Sequence, residues 1–326
     1  MIPSHPRVAI TDWTFPDLSI EEEILKAHGI KLVARQCKTE AELIKLCTDA
    51  DAVITQFARV NANVVAAMQK ARAIVRYGIG VDNVDLDKAR ERGVPVCNVP
   101  DYCIDEVADQ TLAFILATTR QVVSHATHLR TGKWGLATPL AGMKALRDLT
   151  VGVVGFGRIG REVVKRLIPF KCAVQVFDPV VPAAEIAKLG ASAVSFDELL
   201  KSADVLTLHC PSTPQTRRLM NRETFAKLKS GTIFINVGRG DLADPDALTA
   251  ALQSGHLGAA ALDVFDPEPI PAGHPLLAMT NVILAPHIAS CSVPAVKKLR
   301  ESVAHLAVAA VRGEPLPTIV NGVKRG

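Results

Sequence analysis

The chain has 326 residues, 48% hydrophobic and 21% charged, with a formal net charge of +4, which is the balance of an ordinary globular protein with room for two hydrophobic cores. No apolar run reaches the length of a membrane span, the segment 1–7 lacks a signal-peptide core, and the bases are dispersed rather than striped, so neither membrane nor nucleic acid is an expected partner. Seven cysteines, at 37, 47, 97, 103, 172, 210 and 291, include no C-x-x-C pair and read as reduced packing residues of a cytoplasmic protein, with no disulfide framework and no metal site.

The first hundred residues alternate strand and helix. A strand is expected at 8–11, then a helix opened by the capping-box pattern Ser19-x-x-Glu22 and running to about 28. Strands follow at 31–34, 52–55, 73–76 and 94–98, with helices at 40–47, 63–68 and 86–92 between them. Such alternation means βαβ units and a parallel sheet. The stretch 105–120 places Val107, Leu112, Ile115 and Leu116 on one side and reads as a helix bridging two domains. Residues 124–148, with Gly132, Gly135, Pro139 and Gly142, read as a loop or arm, and Trp134 as a packing or subunit-contact residue.

Residues 151–160, V-G-V-V-G-F-G-R-I-G, constrain the function most. A β-branched run flows into Gly155, Gly157 and Gly160, then into a helix at 161–167 with Val163, Val164 and Leu167 on one face. In that context the first Gly allows the tight turn, the second lets backbone approach a pyrophosphate, and the third lets helix pack on strand. A second strand at 173–177 ends in Asp178, spaced as a carboxylate for the adenosine ribose hydroxyls. Pro179, Val180 and Val181 offer no base to offset its repulsion of a 2′-phosphate, which favours NAD over NADP. The rhythm resumes with helices at 183–188, 197–201, 222–228 and 245–254 and strands at 205–209, 232–237, 259–264 and 282–285. A helix at 294–312 and an extended tail at 315–320 close the chain.

Three polar residues stand just past strand ends in the second half: Arg239, Glu268 and His287. In a doubly wound parallel sheet these ends share the edge at which the cofactor binds. Hydride addition to a ketone leaves negative charge on oxygen, so a proton donor is needed, and histidine titrates in the right range. His287 suits that role. Glu268 beside it favours the imidazolium and fixes the ring, and Arg239 suits a bidentate clamp on a substrate carboxylate. His209, followed by Cys210-Pro211, reads as a turn wall, and His256, His274 and His305 as solvent or packing residues.

These residues, with Tyr77-Gly78-Ile79-Gly80-Val81-Asp82-Asn83, Val107-Ala108-Asp109-Gln110-Thr111, Asn236-Val237-Gly238-Arg239-Gly240, Leu262-Asp263-Val264-Phe265 and Pro286-His287-Ile288-Ala289-Ser290, resemble the D-isomer-specific 2-hydroxyacid dehydrogenases over nearly the whole chain. The resemblance implies an α/β fold of two doubly wound parallel-sheet domains with a cleft between them. One is a flavodoxin-like substrate domain made of 1–101 and 288–326, and the other a Rossmann NAD-binding domain over 102–287. It implies hydride transfer between nicotinamide C4 and C2 of a small 2-hydroxy or 2-keto acid, with Arg239, Glu268 and His287 catalytic and the backbone around Ile79 and Gly80 holding the substrate carboxylate. Cofactor contacts would come from Thr111, Gly155, Gly157, Arg158, Ile159, Gly160, Asp178, Pro211, Thr216, Val237, Asp263 and His287, and two copies would join through the NAD domain as a homodimer. Side chains of the loop 55–59 and near 290–292 would choose the acid. Arg59 is the only base on that first loop, which leaves a phosphorylated substrate, as in phosphoglycerate dehydrogenases, open but less favoured. Glu268 stands where the formate dehydrogenase branch would have Gln. Asp12-Trp13-Thr14-Phe15-Pro16-Asp17-Leu18-Ser19 and Cys97-Asn98-Val99-Pro100-Asp101 also resemble the branch holding NAD-sensing corepressors, the C-terminal binding proteins, which leaves a binding protein as an alternative.

Overall fold

The computed structural model describes residues 5–324. By its contacts the chain divides into two compact units, one of Met1–Tyr102 with Ser292–Gly326 and the other of Cys103–Cys291. In the first unit β1 (Arg7–Ile10), α1 (Ser19–Ala27), β2 (Lys31–Ala34), α2 (Glu40–Cys47), β3 (Ala52–Thr55), α3 (Ala62–Ala67), β4 (Ile74–Arg76), α4 (Leu86–Glu91) and β5 (Val96–Cys97) follow in turn. All pairings are parallel, in the order β2-β1-β3-β4-β5. Strands buried on both faces need continuous apolar runs, and β3, Ala52-Val53-Ile54-Thr55, is buried at every position.

The second unit opens with α5 (Ile104–Thr119) and α6 (Val122–Arg130), then β6 (Thr150–Val154), α7 (Arg158–Leu167), β7 (Ala173–Phe177), α8 (Ala183–Ala187), β8 (Ser192–Ala193) and α9 (Phe196–Ser202). It continues through β9 (Val205–Leu208), α10 (Arg222–Ala226), β10 (Thr232–Asn236), α11 (Pro245–Gln253), β11 (Leu257–Leu262) and β12 (Val282–Leu284). Seven parallel strands run β12-β11-β10-β9-β6-β7-β8. The closing helix α12 (Val293–Arg312) belongs to the first unit, where Leu299, Val303, Ala307 and Val311 join its core.

Four expectations need correction. The Ser19 capping box is absent: Leu18 is the N-cap, without a side-chain bond, and Ser19 donates its hydroxyl to Asp17 at 2.7 Å. Part of the expected arm is α6, none of whose residues is buried, so no apolar stripe announced it. The return to the first unit falls after Cys291 rather than 287, because Ile288 and Ala289 are tied by their backbone N–H groups to Asp263 of the second unit. Finally, Cys291 is exposed rather than packed, whereas five of the other cysteines are buried.

Candidate active site

In the second unit the strand order reverses at β6, between β7 and β9, and in open α/β sheets ligands bind outside the carboxyl ends at such a switch point. The glycine run lies there. Gly155 has φ of +95°, and a Cβ on it would strike the backbone of His209 and Cys210. A Cβ on Gly160 would collide with the Gly155 carbonyl oxygen, so only glycine lets α7 close on the turn. At Gly157 the opposite holds: a Cβ there would meet nothing within 4 Å. The helix begins at Arg158 rather than 161, and its N-cap Gly157 offers no side chain to the first N–H groups, which helix geometry leaves without internal partners. Open space beside unpartnered donors suits an anionic pyrophosphate.

Asp178 is fixed beside this turn. Its Oδ2 accepts from the Phe156 amide at 2.7 Å and its Oδ1 from Val180 and Val181 at 2.9 and 3.0 Å. Burial raises the carboxyl pKa, but the three donors, with Arg161 nearby, outweigh it and hold it below its ordinary value. His209, just past the end of β9, is partly buried, and desolvation of its ring pushes its pKa down to about 3 while its Nε2 meets the Thr207 hydroxyl at 3.0 Å. It stays neutral beneath the turn.

The sequence candidates occupy the same sheet edge. Arg239 follows β10 on a turn templated by Asn236, which donates from Nδ2 to the Arg239 carbonyl at 2.8 Å and accepts from the Gly238 amide at 3.1 Å. A Cβ on Gly240 would overlap the Phe265 carbonyl, so that turn packs on the segment leading to Glu268. Glu268 Oε1 lies 2.8 Å from His287 Nδ1, with the two side chains 34% and 22% exposed. The carboxylate accepts, so Nδ1 donates and Nε2 is the ring nitrogen left for chemistry.

His287 itself has φ of +55°, a left-handed conformation that costs a side-chain-bearing residue about 1–3 kcal/mol. Asp263, at the end of β11 and completely buried, holds it there: its carbonyl accepts from the His287 amide at 2.8 Å, and its carboxylate from Ile288 and Ala289 at 2.9 and 2.8 Å. Burial raises the Asp263 pKa despite these donors. Asp263 was expected among cofactor contacts, and its carboxylate is engaged with the histidine loop. The Thr111 hydroxyl donates within its own helix to Val107 at 2.7 Å, and Thr216 closes its loop onto the Pro211 carbonyl at 2.6 Å. Val237 is buried after β10, while Arg158 and Ile159 form the first turn of α7. Ile79 and Gly80 belong to the first unit, at its own strand ends after β4. Asn236 and Gly240 were not anticipated; an Asn at a strand end just before a Gly-x-Gly turn is the signal that could have found them.

Residues 112–289 match the family model described as D-isomer specific 2-hydroxyacid dehydrogenase, NAD binding domain. The chain is similar to a D-3-phosphoglycerate dehydrogenase of Mycobacterium leprae, 40% identical over 281 residues that are 86% of this chain and 53% of that protein. It therefore spans about half the length of that relative. A glyoxylate reductase of Thermofilum pendens is 36% identical over 86% of this chain and 84% of its own. A solved D-lactate dehydrogenase of Aquifex aeolicus, complexed with NAD and lactic acid, superimposes with a TM-score of 0.87 at 27% identity, covering 97% of this chain and 99% of that one.

Proposed function

The chain belongs to the D-isomer specific 2-hydroxyacid dehydrogenases, with residues 112–289 as that family's NAD binding domain, and from that premise we propose that it reduces small 2-keto acids to 2-hydroxy acids with NADH. The 2.8 Å contact between Glu268 and His287, on the edge that also bears the glycine turn, carries this proposal. Gly155, Gly157, Gly160 and the start of α7 receive the pyrophosphate, and Asp178 the ribose hydroxyls. Bound NADH supplies the hydride that reduces C2 of the acid.

His287 gives its Nε2 proton to the oxygen as charge develops there, while Glu268 holds the ring in place through Nδ1. Arg239 grips the carboxylate through parallel charge-assisted bonds and polarises the carbonyl. Asp263, by fixing the backbone of 287–289, keeps the imidazole on station without touching substrate. The same residues serve the reverse reaction, with His287 accepting the proton. The finer reading is an unphosphorylated substrate, since Arg59 is the one base on the 55–59 loop, acting in a homodimer joined through the NAD domain.

NADH oxidation with glyoxylate, hydroxypyruvate, pyruvate and phosphohydroxypyruvate tests this directly. Turnover of at least one of the first three is expected, and silence with all four refutes the proposal. His287→Ala is expected to cut kcat by about 10² to 10⁴, the worth of a positioned acid-base group; a loss under about threefold removes His287 from its role.

A further inference from the structure

The first unit has a switch point of its own. Its strand order reverses at β1, between β2 and β3, so a ligand is expected outside the carboxyl ends of β1 and β3. The chain fills that place itself. Asp12, two residues past β1, accepts at Oδ1 from the Gln56 amide at 3.0 Å and at Oδ2 from the Phe57 and Ala58 amides at 2.6 and 3.1 Å. The hydroxyls of Thr11 and Thr55 add bonds to Oδ1 at 2.7 and 3.4 Å. Successive backbone N–H groups converging on one anion form a nest of the kind that elsewhere binds phosphate.

The other side of the loop is captured too. Asn83 donates from Nδ2 to the carbonyls of Gln56 and Ala58 at 3.3 and 2.9 Å, and the Gln56 amide group exchanges two bonds with Thr14, at 2.7 and 3.0 Å. A loop held through so many backbone groups presents its side chains in one arrangement. Phe57, 47% exposed, has the Arg76 guanidinium 5.8 Å from its ring centroid. That guanidinium occupies the place where a Cβ on Gly78 would stand. Loop 56–58 therefore connects through Arg76 to the segment that leads into Ile79 and Gly80.

We infer that Asp12 is a positioning residue for substrate selection: its carboxylate serves as a built-in anion that locks loop 56–58, and through it Phe57, beside the 78–80 segment. This rests on the keto acid reading above. Asp12 touches no substrate and has no part in proton or hydride movement, so its loss acts on substrate binding and discrimination. For Asp12→Ala the KM for the best 2-keto acid is expected to rise about tenfold or more, with kcat within about threefold and the KM for NADH unchanged. Ratios of kcat/KM among the keto acids should flatten. Amides of Gln56, Phe57 and Ala58 should exchange hydrogen faster while those of β1 and β3 keep their protection. Sodium formate, against a sodium chloride control, should refill the nest and recover part of the KM. If Asp12→Ala does not fold, Asn83→Ala loosens the carbonyl side of the same loop and is expected to shift KM in the same direction. A wild-type enzyme active on keto acids, paired with a folded variant of unchanged KM and substrate ratios, overturns this inference alone; a wild type inactive on every keto acid overturns the function and this role together.

Discussion

Asp178 has both carboxylate oxygens engaged by backbone amides, one of them the Phe156 amide inside the glycine turn. Its depressed pKa keeps it charged at any physiological pH. At the ribose site proposed above, a fixed negative charge would accept from two hydroxyls and repel a 2′-phosphate. Asp178→Ala removes that repulsion, and kcat/KM for NADH over NADPH is expected to fall by about tenfold or more, the scale of lost hydrogen bonds to a charged group. Steady-state rates with the two coenzymes decide it, and an unchanged ratio assigns ribose reading to another side chain. At this scale the sequence was legible where a chemically distinctive type follows a strand: the pairing of Glu268 with His287 came from that pattern. Asn236 and Asp12 were hidden, as was the hold of Asp263 on the histidine loop, because these residues act by receiving or donating bonds to main chain and no residue type announces which amide lies within reach.

Between elements, the telling case is α1 against α12. Arg300 and Glu21 are both buried, joined at 2.7 Å through Nη2 with further bonds from Nε, and the Tyr77 hydroxyl donates to the same carboxylate at 3.1 Å. Arg300 also reaches Asp17, just before α1, at 3.2 Å. Hydrogen bonds from the Ser19 hydroxyl and amide, then from Arg300, hold the Asp17 pKa at about 2. A carboxyl depressed in the folded state lends stability that is complete above the unfolded value of about 4 and is lost as pH falls toward the folded one. Asp17→Asn keeps an acceptor but not the charge. Its Tm is expected to lie below that of the wild type at pH 7, with the gap narrowing as pH falls from about 4 toward 2. Melting curves at steps of pH check it, and a gap that stays constant from pH 7 down to about 2 shows that the charge contributes nothing. The sequence placed α2 correctly because its apolar side, Leu43 and Cys47, is buried. It lost α6 because a helix with no buried residue has no stripe to read, and β8 because its two residues are short and exposed.

For the molecule as a whole, the alternation of apolar strands with amphipathic helices made the parallel class legible, and the mid-chain position of the glycine run made two sheets legible. Strand order was not, since neighbours such as β6 and β9 are set by crossovers. One stretch of the second unit exposes a series of large apolar side chains. Val122, Val123, Leu129, Leu136 and Leu140 are all exposed, and Trp134 is 92% exposed. Apolar side chains gathered and exposed in one stretch of a globular fold mark an interaction site rather than a solvent face, and aromatic residues on such stretches supply most of the association energy. This supports the homodimer proposed above, with the segment 122–140 as its contact. Sedimentation of the wild type is expected to give twice the chain mass of 34.8 kDa. Trp134→Glu should cost about 2 kcal/mol or more of association, raising the dimer Kd by about thirtyfold and moving the midpoint of dilution accordingly. A monomeric wild type at micromolar concentration rules out the homodimer, whereas a variant that dimerises as tightly as the wild type moves the contact away from this segment. Melting of each species separates loss of association from loss of fold, because Trp134 has almost no surface buried against its own chain and its replacement leaves the core of the second unit intact.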